Sequence, residues 1–289
     1  MMSRKSNRLT ASRSFYAQIA AAGGGPVREH LERAFELVPR EHFLGQGPWL
    51  AMSPFARTYV PTPTDDPIHL YQNLLFALDS ERYVNNGEPC LHGQLLGALN
   101  PNRGDAVLHL GSGTGYYTAI LAHLVGPAGK IIAYEIDADL ARRATENLTP
   151  WDNVRVCSTS GVADNLPLCD AIYVNAGATR PASQWLNALK DGGRLVFPLL
   201  GSASSGAGVS VLVVRVKDSY VARVLGHCRF IPCADAFDPK EADRVTAAFR
   251  SGELWTTQSL IRSDKADESA VLVGEGWWLS SSPLPKGDK

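Results

Sequence analysis

Between residues 101 and 200 the chain alternates short apolar runs with segments whose apolar positions recur at helical spacing. The runs Val107–Leu110, Lys130–Glu135, Val154–Cys157, Ala171–Val174 and Arg194–Pro198 predict strands. Tyr117–Val125 places Ile120, Leu121, Leu124 and Val125 on one face and predicts a helix; Ala138–Leu148 and Ala182–Leu189 predict two more. Strands alternating with helices imply a parallel, doubly wound sheet. The pattern then changes. Val209–Val216 and Val221–Phe230 flank Lys217-Asp218-Ser219-Tyr220, a hairpin signal. The expected fold class is α/β: a Rossmann-like, doubly wound, mostly parallel seven-stranded sheet closed by an antiparallel hairpin.

The flanks are less regular. Residues 1–14 read as a disordered tail. Residues 15–100 read as an N-terminal helical and substrate-facing segment. Within it, helices are expected at Phe15–Ala22 and Val27–Val38, around the break Gly23-Gly24-Gly25-Pro26. Residues 44–67, rich in Pro, Gly and Thr, are expected to be irregular surface, and His69–Leu78 fits a strand or a short helix. A helix from Pro89 to Leu99 carries Leu91, Leu95, Leu96 and Leu99 on one face. The core is expected at 101–235. Residues 236–289 form an appendage: a helix at Pro239–Ser251, then a hairpin over Ala270–Ser280 turned at Gly274-Glu275-Gly276. Its Trp277-Trp278 pair is expected to pack against the core as a lid.

Composition narrows the function classes. The chain has 289 residues, is 45% hydrophobic and carries a formal net charge of -1, so nothing calls for nucleic acid or a membrane surface. Arg4, Lys5, Arg8 and Arg13 cluster at the N-terminus and read as a solvated tail. No apolar run has the length of a membrane span, and the N-terminus lacks the apolar core of a signal peptide. Five cysteines without a CxxC fit free thiols in a reducing, cytoplasmic compartment. Histidines lack metal-ligand spacing, so no metal is expected.

The stretch Val107–Asp137 carries the chemistry. Gly111, Gly113 and Gly115 strip side chains where a backbone must turn and approach a ligand. Glu135 ends the next strand 24 residues after Gly111, placed to accept hydrogen bonds from a ribose diol. The spacing is GxGxG, not the GxGxxG of dinucleotide folds, and the loop holds no Lys or Arg. A neutral loop followed by an acid suits S-adenosylmethionine, which has no phosphate. The expected cofactor contacts are Gly111, Ser112, Gly113, Gly115, Tyr116, Glu135, Ile136, Ser160, Gly161 and Asn175, the last at the carboxyl edge of the sheet, where ligands bind.

Taken with that loop, several motifs resemble the protein-L-isoaspartate O-methyltransferase family. They are Val38-Pro39-Arg40-Glu41-His42-Phe43, Gly104-Asp105 before the glycine loop, Asp191-Gly192-Gly193-Arg194-Leu195-Val196-Phe197-Pro198, and the closing hairpin through Phe230-Ile231-Pro232. The resemblance covers roughly residues 15–235 and implies an S-adenosylmethionine-dependent methyltransferase. It breaks at the chemistry. Where the family carries ISQP, whose serine contacts the isoaspartyl substrate, this chain has Asn86-Gly87-Glu88-Pro89; the acid-glycine pair after the third strand becomes Ser160-Gly161. A carboxylate at 88 opposes a carboxylate substrate unless the charge is compensated. The implied acceptor is therefore a peptide or small molecule other than isoaspartyl protein.

Catalytic candidates are Glu88, His92 and Asn86. His92 follows Glu88 by four residues, so the two can share a helix face; the competing reading makes His92 a surface residue and Glu88 a helix cap. His109, inside an apolar strand, is expected to be a satisfied buried histidine. Two further functions stay open: a cofactor-binding module without turnover, and an RNA base methyltransferase, which the near-zero charge disfavours. A nicotinamide oxidoreductase is the weakest reading.

Overall fold

The structure is a computed structural model and describes residues 4–56, 58–202 and 206–284. In chain order the first elements are α1 (Arg4–Ala20), α2 (Arg28–Leu37), β1 (Leu50–Met52), β2 (Val60–Pro61), β3 (Leu75–Asp79), β4 (Val84–Asn85) and α3 (Pro89–Leu99). Then come β5 (Ala106–Leu110), α4 (Tyr116–Val125), β6 (Lys130–Glu135), α5 (Ala138–Asn147), β7 (Val154–Ser158), β8 (Cys169–Val174), α6 (Ser183–Ala188) and β9 (Leu189–Leu200). The last are β10 (Ala207–Val216), β11 (Ser219–Arg229), α7 (Pro239–Ser251), β12 (Ser259–Ile261), β13 (Ala270–Val273) and β14 (Trp278–Ser280). Contacts divide the chain into two compact units, one from residues 1–105 with 112–159, the other from 106–111 with 160–289.

The first unit holds the N-terminal helices, a small antiparallel sheet, α4, α5 and the parallel pair β6–β7, in register from Ile131↔Val154 to Glu135↔Ser158. Two expectations are corrected here. Residues 4–14 are not a disordered tail but the start of α1, whose end buries Tyr16, Ala17 and Ala20 against α2 and α3; the rest of that expected tail, residues 1–3, lies outside the described residues. Residues 44–67 are not wholly irregular, because β1 pairs with β2 and β3 in a four-stranded sheet ordered β2-β1-β3-β4. Strands of two and three residues are too short to display a period. What marks the sheet is its core of Leu44, Trp49, Leu70 and Phe76.

Arg40 organises this sheet's connections. It has no exposed surface. Its Nη1 donates to Leu70 O at 2.7 Å and Gln72 O at 2.9 Å, and its Nη2 donates to Leu74 O at 2.7 Å and Asn86 Oδ1 at 3.3 Å. The guanidinium also lies 4.9 Å from the centroid of the Phe76 ring, close enough for a cation–π contact. Next to it Glu41 accepts from Arg13 Nη2 at 2.8 Å and from the Tyr71 hydroxyl.

In the second unit β5, β8 and β9 run parallel, with Val107↔Ala171 and Tyr173↔Val196 among the paired positions. β10 and β11 return antiparallel, as the hairpin signal predicts. The sheet does not stop there. β12 pairs with β11, β14 with β12 and β13 with β14, all antiparallel. The order is therefore β13-β14-β12-β11-β10-β9-β8-β5, eight strands in this unit, where seven were expected for the whole core. The tail extends the sheet instead of lying over it as a lid. Trp277 and Trp278 are each only 5% exposed, so the added strands bury a large apolar area.

Arg40→Ala takes a donor from four oxygens, two of them in buried bonds and two in partly buried ones. We expect a loss of about 3 kcal/mol or more, since each unsatisfied buried polar group costs about 1–3 kcal/mol. Arg40→Lys should recover little of it, because one ammonium cannot reproduce a planar fork. Urea unfolding measures both; a midpoint unchanged in Arg40→Ala would contradict this account.

Candidate functional site

The glycine loop forms because the backbone requires it. Gly111, Gly113 and Gly115 have φ of 75°, 56° and 97°, all in the left-handed region. Gly111 belongs to the second unit and Ser112–Gly115 to the first. In the first unit Ser112 N donates to Tyr134 O at 3.1 Å, which ties the loop to β6. Gly113 N donates to Glu135 Oε2 at 2.7 Å, and Asp137 N to Glu135 Oε1 at 3.0 Å. Glu135 is 7% exposed; burial pushes its carboxyl above the ordinary carboxylate range, and these amides pull the other way. An ionised carboxylate has about four lone-pair sites, so two remain for a ligand diol. Ser112 Oγ is buried without a hydrogen-bond partner, and Ile136, beside Glu135, is exposed. Asp137 then caps α5, accepting from Asp139 N and Leu140 N at 3.0 Å each, and pairs with Arg82 at 2.6 Å.

Two loop residues face inward. Gly115 lies where a Cβ would stand 2.7 Å from Leu148 Cδ1, so it serves close packing. Tyr116 starts α4, but its side chain is buried, with its hydroxyl 3.0 Å from that of Tyr16 and its ring edge-on to Phe43. Among the expected cofactor contacts, Tyr116 thus offers backbone only.

The altered motif sits beside this loop through β3. Phe76 N donates to Asn86 Oδ1 at 2.9 Å and Asn86 N donates to Phe76 O at 3.0 Å. Two residues along the same strand, Leu78 Cδ1 would lie 3.4 Å from a Cβ on Gly113. A two-residue step along a strand is about 7 Å. β3 therefore brings Asn86–Pro89 and the glycine loop together, a role for Phe76 and Leu78 that no sequence motif signalled.

Glu88 occupies the N-cap position of α3 without making a side-chain cap bond. It accepts from Asn73 Nδ2 at 2.7 Å, while Asn73 Oδ1 accepts from Cys90 N at 2.9 Å. Asn73 thus caps the helix and holds Glu88 half-buried. His92 is not a surface residue: it is 2% exposed and stacks on Tyr117 with ring centroids 3.7 Å apart at 11°. Tyr117 Oη donates to Gly87 O at 3.4 Å.

The second unit places the remaining candidates. Asn175 N donates to Leu110 O at 2.7 Å, and its Oδ1 is buried without a partner. Gly111 is close to it, with a Cβ there 3.4 Å from Asn175 C. Ser160 Oγ accepts from Val162 N at 3.0 Å, and Gly161 O accepts from Trp185 Nε1 at 2.9 Å, so this pair is held by structural bonds. His109 is fully buried beside Tyr173, 5.4 Å between centroids, and burial pushes it down to about 3. Among the described residues no cluster of metal-ligating side chains occurs, and no helix is long and apolar enough to cross a membrane.

The family profile of protein-L-isoaspartate(D-aspartate) O-methyltransferase matches residues 22–238. A Thermotoga maritima protein-L-isoaspartate O-methyltransferase is 28% identical over 180 residues, which cover 60% of this chain and 51% of that protein. The chain thus matches about half the length of that relative. A solved protein-L-isoaspartate O-methyltransferase superposes with a TM-score of 0.63 at 24% identity, covering 76% of this chain and 65% of that one. A Plasmodium falciparum protein assigned to the same activity, in complex with S-adenosyl-L-homocysteine, gives a TM-score of 0.57 at 18% identity, covering 76% of this chain and 97% of that one. These superpositions show an α/β methyltransferase-like fold: parallel core strands plus an antiparallel extension.

Two expected outcomes follow from the titratable groups. Glu135→Ala should weaken S-adenosylhomocysteine binding at least ~10-fold, because a bond to a charged group contributes about 1.5–3 kcal/mol. In the unaltered protein, affinity should be full at neutral pH and fall as acid protonates Glu135, at a higher pH than for an ordinary glutamate; Glu135→Gln should abolish that dependence. Calorimetry across pH measures both, and unchanged affinity in the alanine variant would remove Glu135 from the site. His109 is depressed in the folded state from 6.5 to about 3, so the unfolded chain binds its proton more readily. Its contribution to stability is full above pH 6.5 and is lost progressively as pH falls from there towards about 3. His109→Phe should flatten the acid limb of the stability–pH curve.

Proposed function

The chain belongs to the protein-L-isoaspartate(D-aspartate) O-methyltransferase family, and from that premise we propose that it moves the methyl group of S-adenosylmethionine to an oxygen of a peptide or small-molecule acceptor other than isoaspartyl protein. The observation that carries this reading is the loop Asn86–Pro89. It has no side chain at residue 87, and Glu88 is held beside it by Asn73.

The cofactor half rests on groups already fixed in place. Within the first unit, Glu135 keeps lone pairs for a ribose diol, Ser112 Oγ is a buried polar atom without a partner, and the loop is neutral. When bound, the cofactor supplies a methyl group already activated on a sulfonium. What the protein must add is the position of the nucleophile, and proximity alone contributes on the order of 7 kcal/mol in favourable cases.

The acceptor half is set by charge and room. A carboxylate at 88 disfavours a bare carboxylate acceptor and can orient or deprotonate a hydroxyl. Nearby, a cavity of about 330 Å³ is walled by Met52, Thr62, His69, Gln72 and Leu74. Its wall at Gln72–Leu74 is the segment that carries Asn73, so the cavity and Glu88 share one piece of backbone, fixed by Arg40.

The test uses labelled S-adenosylmethionine with a panel of isoaspartyl peptides, ordinary aspartyl and seryl peptides, and small hydroxy and carboxylic acids. We expect at least one non-isoaspartyl member to be labelled ~10-fold faster than the isoaspartyl peptide, at a rate of order 1 per second or faster for a true substrate. Isoaspartyl turnover at such a rate would show that residue 87 does not set specificity. Cofactor binding without transfer to any member would favour the binding-module reading.

A further inference from the structure

A second cleft lies at the other end of β6 from the glycine loop. β6 starts at Lys130 and its parallel partner β7 at Val154. Five steps along a strand separate Lys130 from Glu135, about 16 Å. Ligands in open parallel sheets bind at the carboxyl ends of the strands. This cleft lies instead at their amino ends, with a volume of about 1000 Å³. All of its walls belong to the first unit.

Its charge is one-sided. Arg33, Arg103, Lys130 and Arg155 line it, against the single carboxylate of Asp152. The chain as a whole carries a formal net charge of -1, so the imbalance is local. Arg103, Lys130 and Arg155 are exposed, and none has an ion-pair partner among the described residues. Arg33 pairs with Glu36 at 3.4 Å. The positive field reaches His123, whose imidazole is held below its ordinary range by burial first and by Arg33 second.

Two of the cations are set side by side. Arg103 lies over the end of α4, where a Cβ on Gly126 would stand 3.0 Å from its Nη2. Asn153 Nδ2 donates to Gly126 O at 3.0 Å and to Gly129 O at 3.2 Å, so Lys130, next in the chain, starts from the same place. Trp151, half-buried, adds a flat wall, with its ring 6.2 Å from that of His123 and edge-on to it.

We propose that this cleft binds a nucleoside polyphosphate, with Arg103 and Lys130 on the phosphates and Trp151 against the base. A polyphosphate concentrates several charges on neighbouring atoms, which suits adjacent cations. Guanidinium forks pair with phosphate oxygens in two parallel bonds, and an indole face stacks on a base. The volume is at the upper end for small-molecule sites and exceeds what one inorganic phosphate needs. The site is separate from the glycine loop and independent of the methyl acceptor.

The test titrates magnesium-free ATP into the full chain saturated with S-adenosylhomocysteine, so that adenosine cannot enter at the glycine loop. We expect one equivalent to bind, with adenosine and inorganic triphosphate each at least tenfold weaker. Arg103→Glu and Lys130→Glu should each weaken ATP at least tenfold. Arg223→Glu, the same charge change on an exposed residue of β11, should change it less than twofold. Melting temperatures check that all three variants are folded. No saturable binding at about 1 mM ATP, a weak-binding limit, would overturn the proposal. So would equal weakening by all three variants, triphosphate binding as tightly as ATP, or displacement of S-adenosylhomocysteine by ATP. Tighter binding of a glutamate-rich peptide than of ATP would also overturn it, and would make the cleft a groove for an acidic segment.

Discussion

A buried guanidinium holds the small four-stranded sheet and its connections together. Arg40 spends its donors on three backbone carbonyls between Leu70 and Leu74 and on the Asn86 side chain. Burying a charge is tolerable only when its hydrogen bonds are met, and a planar fork meets several at once. The consequences spread along the chain. The segment it fixes carries Asn73, which both caps α3 and positions Glu88. Asn86 in turn anchors β3 at Phe76, and β3 reaches the glycine loop at Leu78. The Asn86–Pro89 segment and the glycine loop thus owe their juxtaposition to one buried side chain.

Glu135 plays the matching part at the glycine loop. It is tied to the backbone of the loop it serves, through Gly113 N, and to the start of α5, through Asp137 N. Burial alone would favour its neutral form; the two amides favour the anion, which is the form that accepts hydroxyls. The carboxylate is therefore preorganised by bonds that exist without any ligand. It clamps the loop to the start of α5.

The reading of the altered motif also changes once packing is known. Spacing along a helix put Glu88 and His92, both catalytic candidates, on a shared face. The structure gives them different surroundings: Glu88 goes to Asn73, and His92 goes into a stack with Tyr117. The glycine at 87 is then a packing necessity as well as a missing hydroxyl, because the imidazole fills its place.

Local pattern determined much of this protein. Periods of two and 3.6 residues located β6 and α7 to their observed ends and α3 closely, and the glycine spacing with Glu135 marked a loop and an acid that the structure brings together, because both signals lie within about thirty residues of one another. The motif around Arg40 was visible, but its purpose was not, since its partners lie up to 46 residues away. Tertiary structure alone decided what no local signal carries. It turned residues 4–14 into helix because Tyr16, Ala17 and Ala20 had a surface to bury against, and it paired strands too short to show a period. It also carried the second unit's sheet on through the C-terminal strands, whose tryptophans needed burial. Finally it put His92 into the space of residue 87, a contact set by the positive φ of Gly87 and the ring of Tyr117 and by nothing in the spacing of the residues themselves.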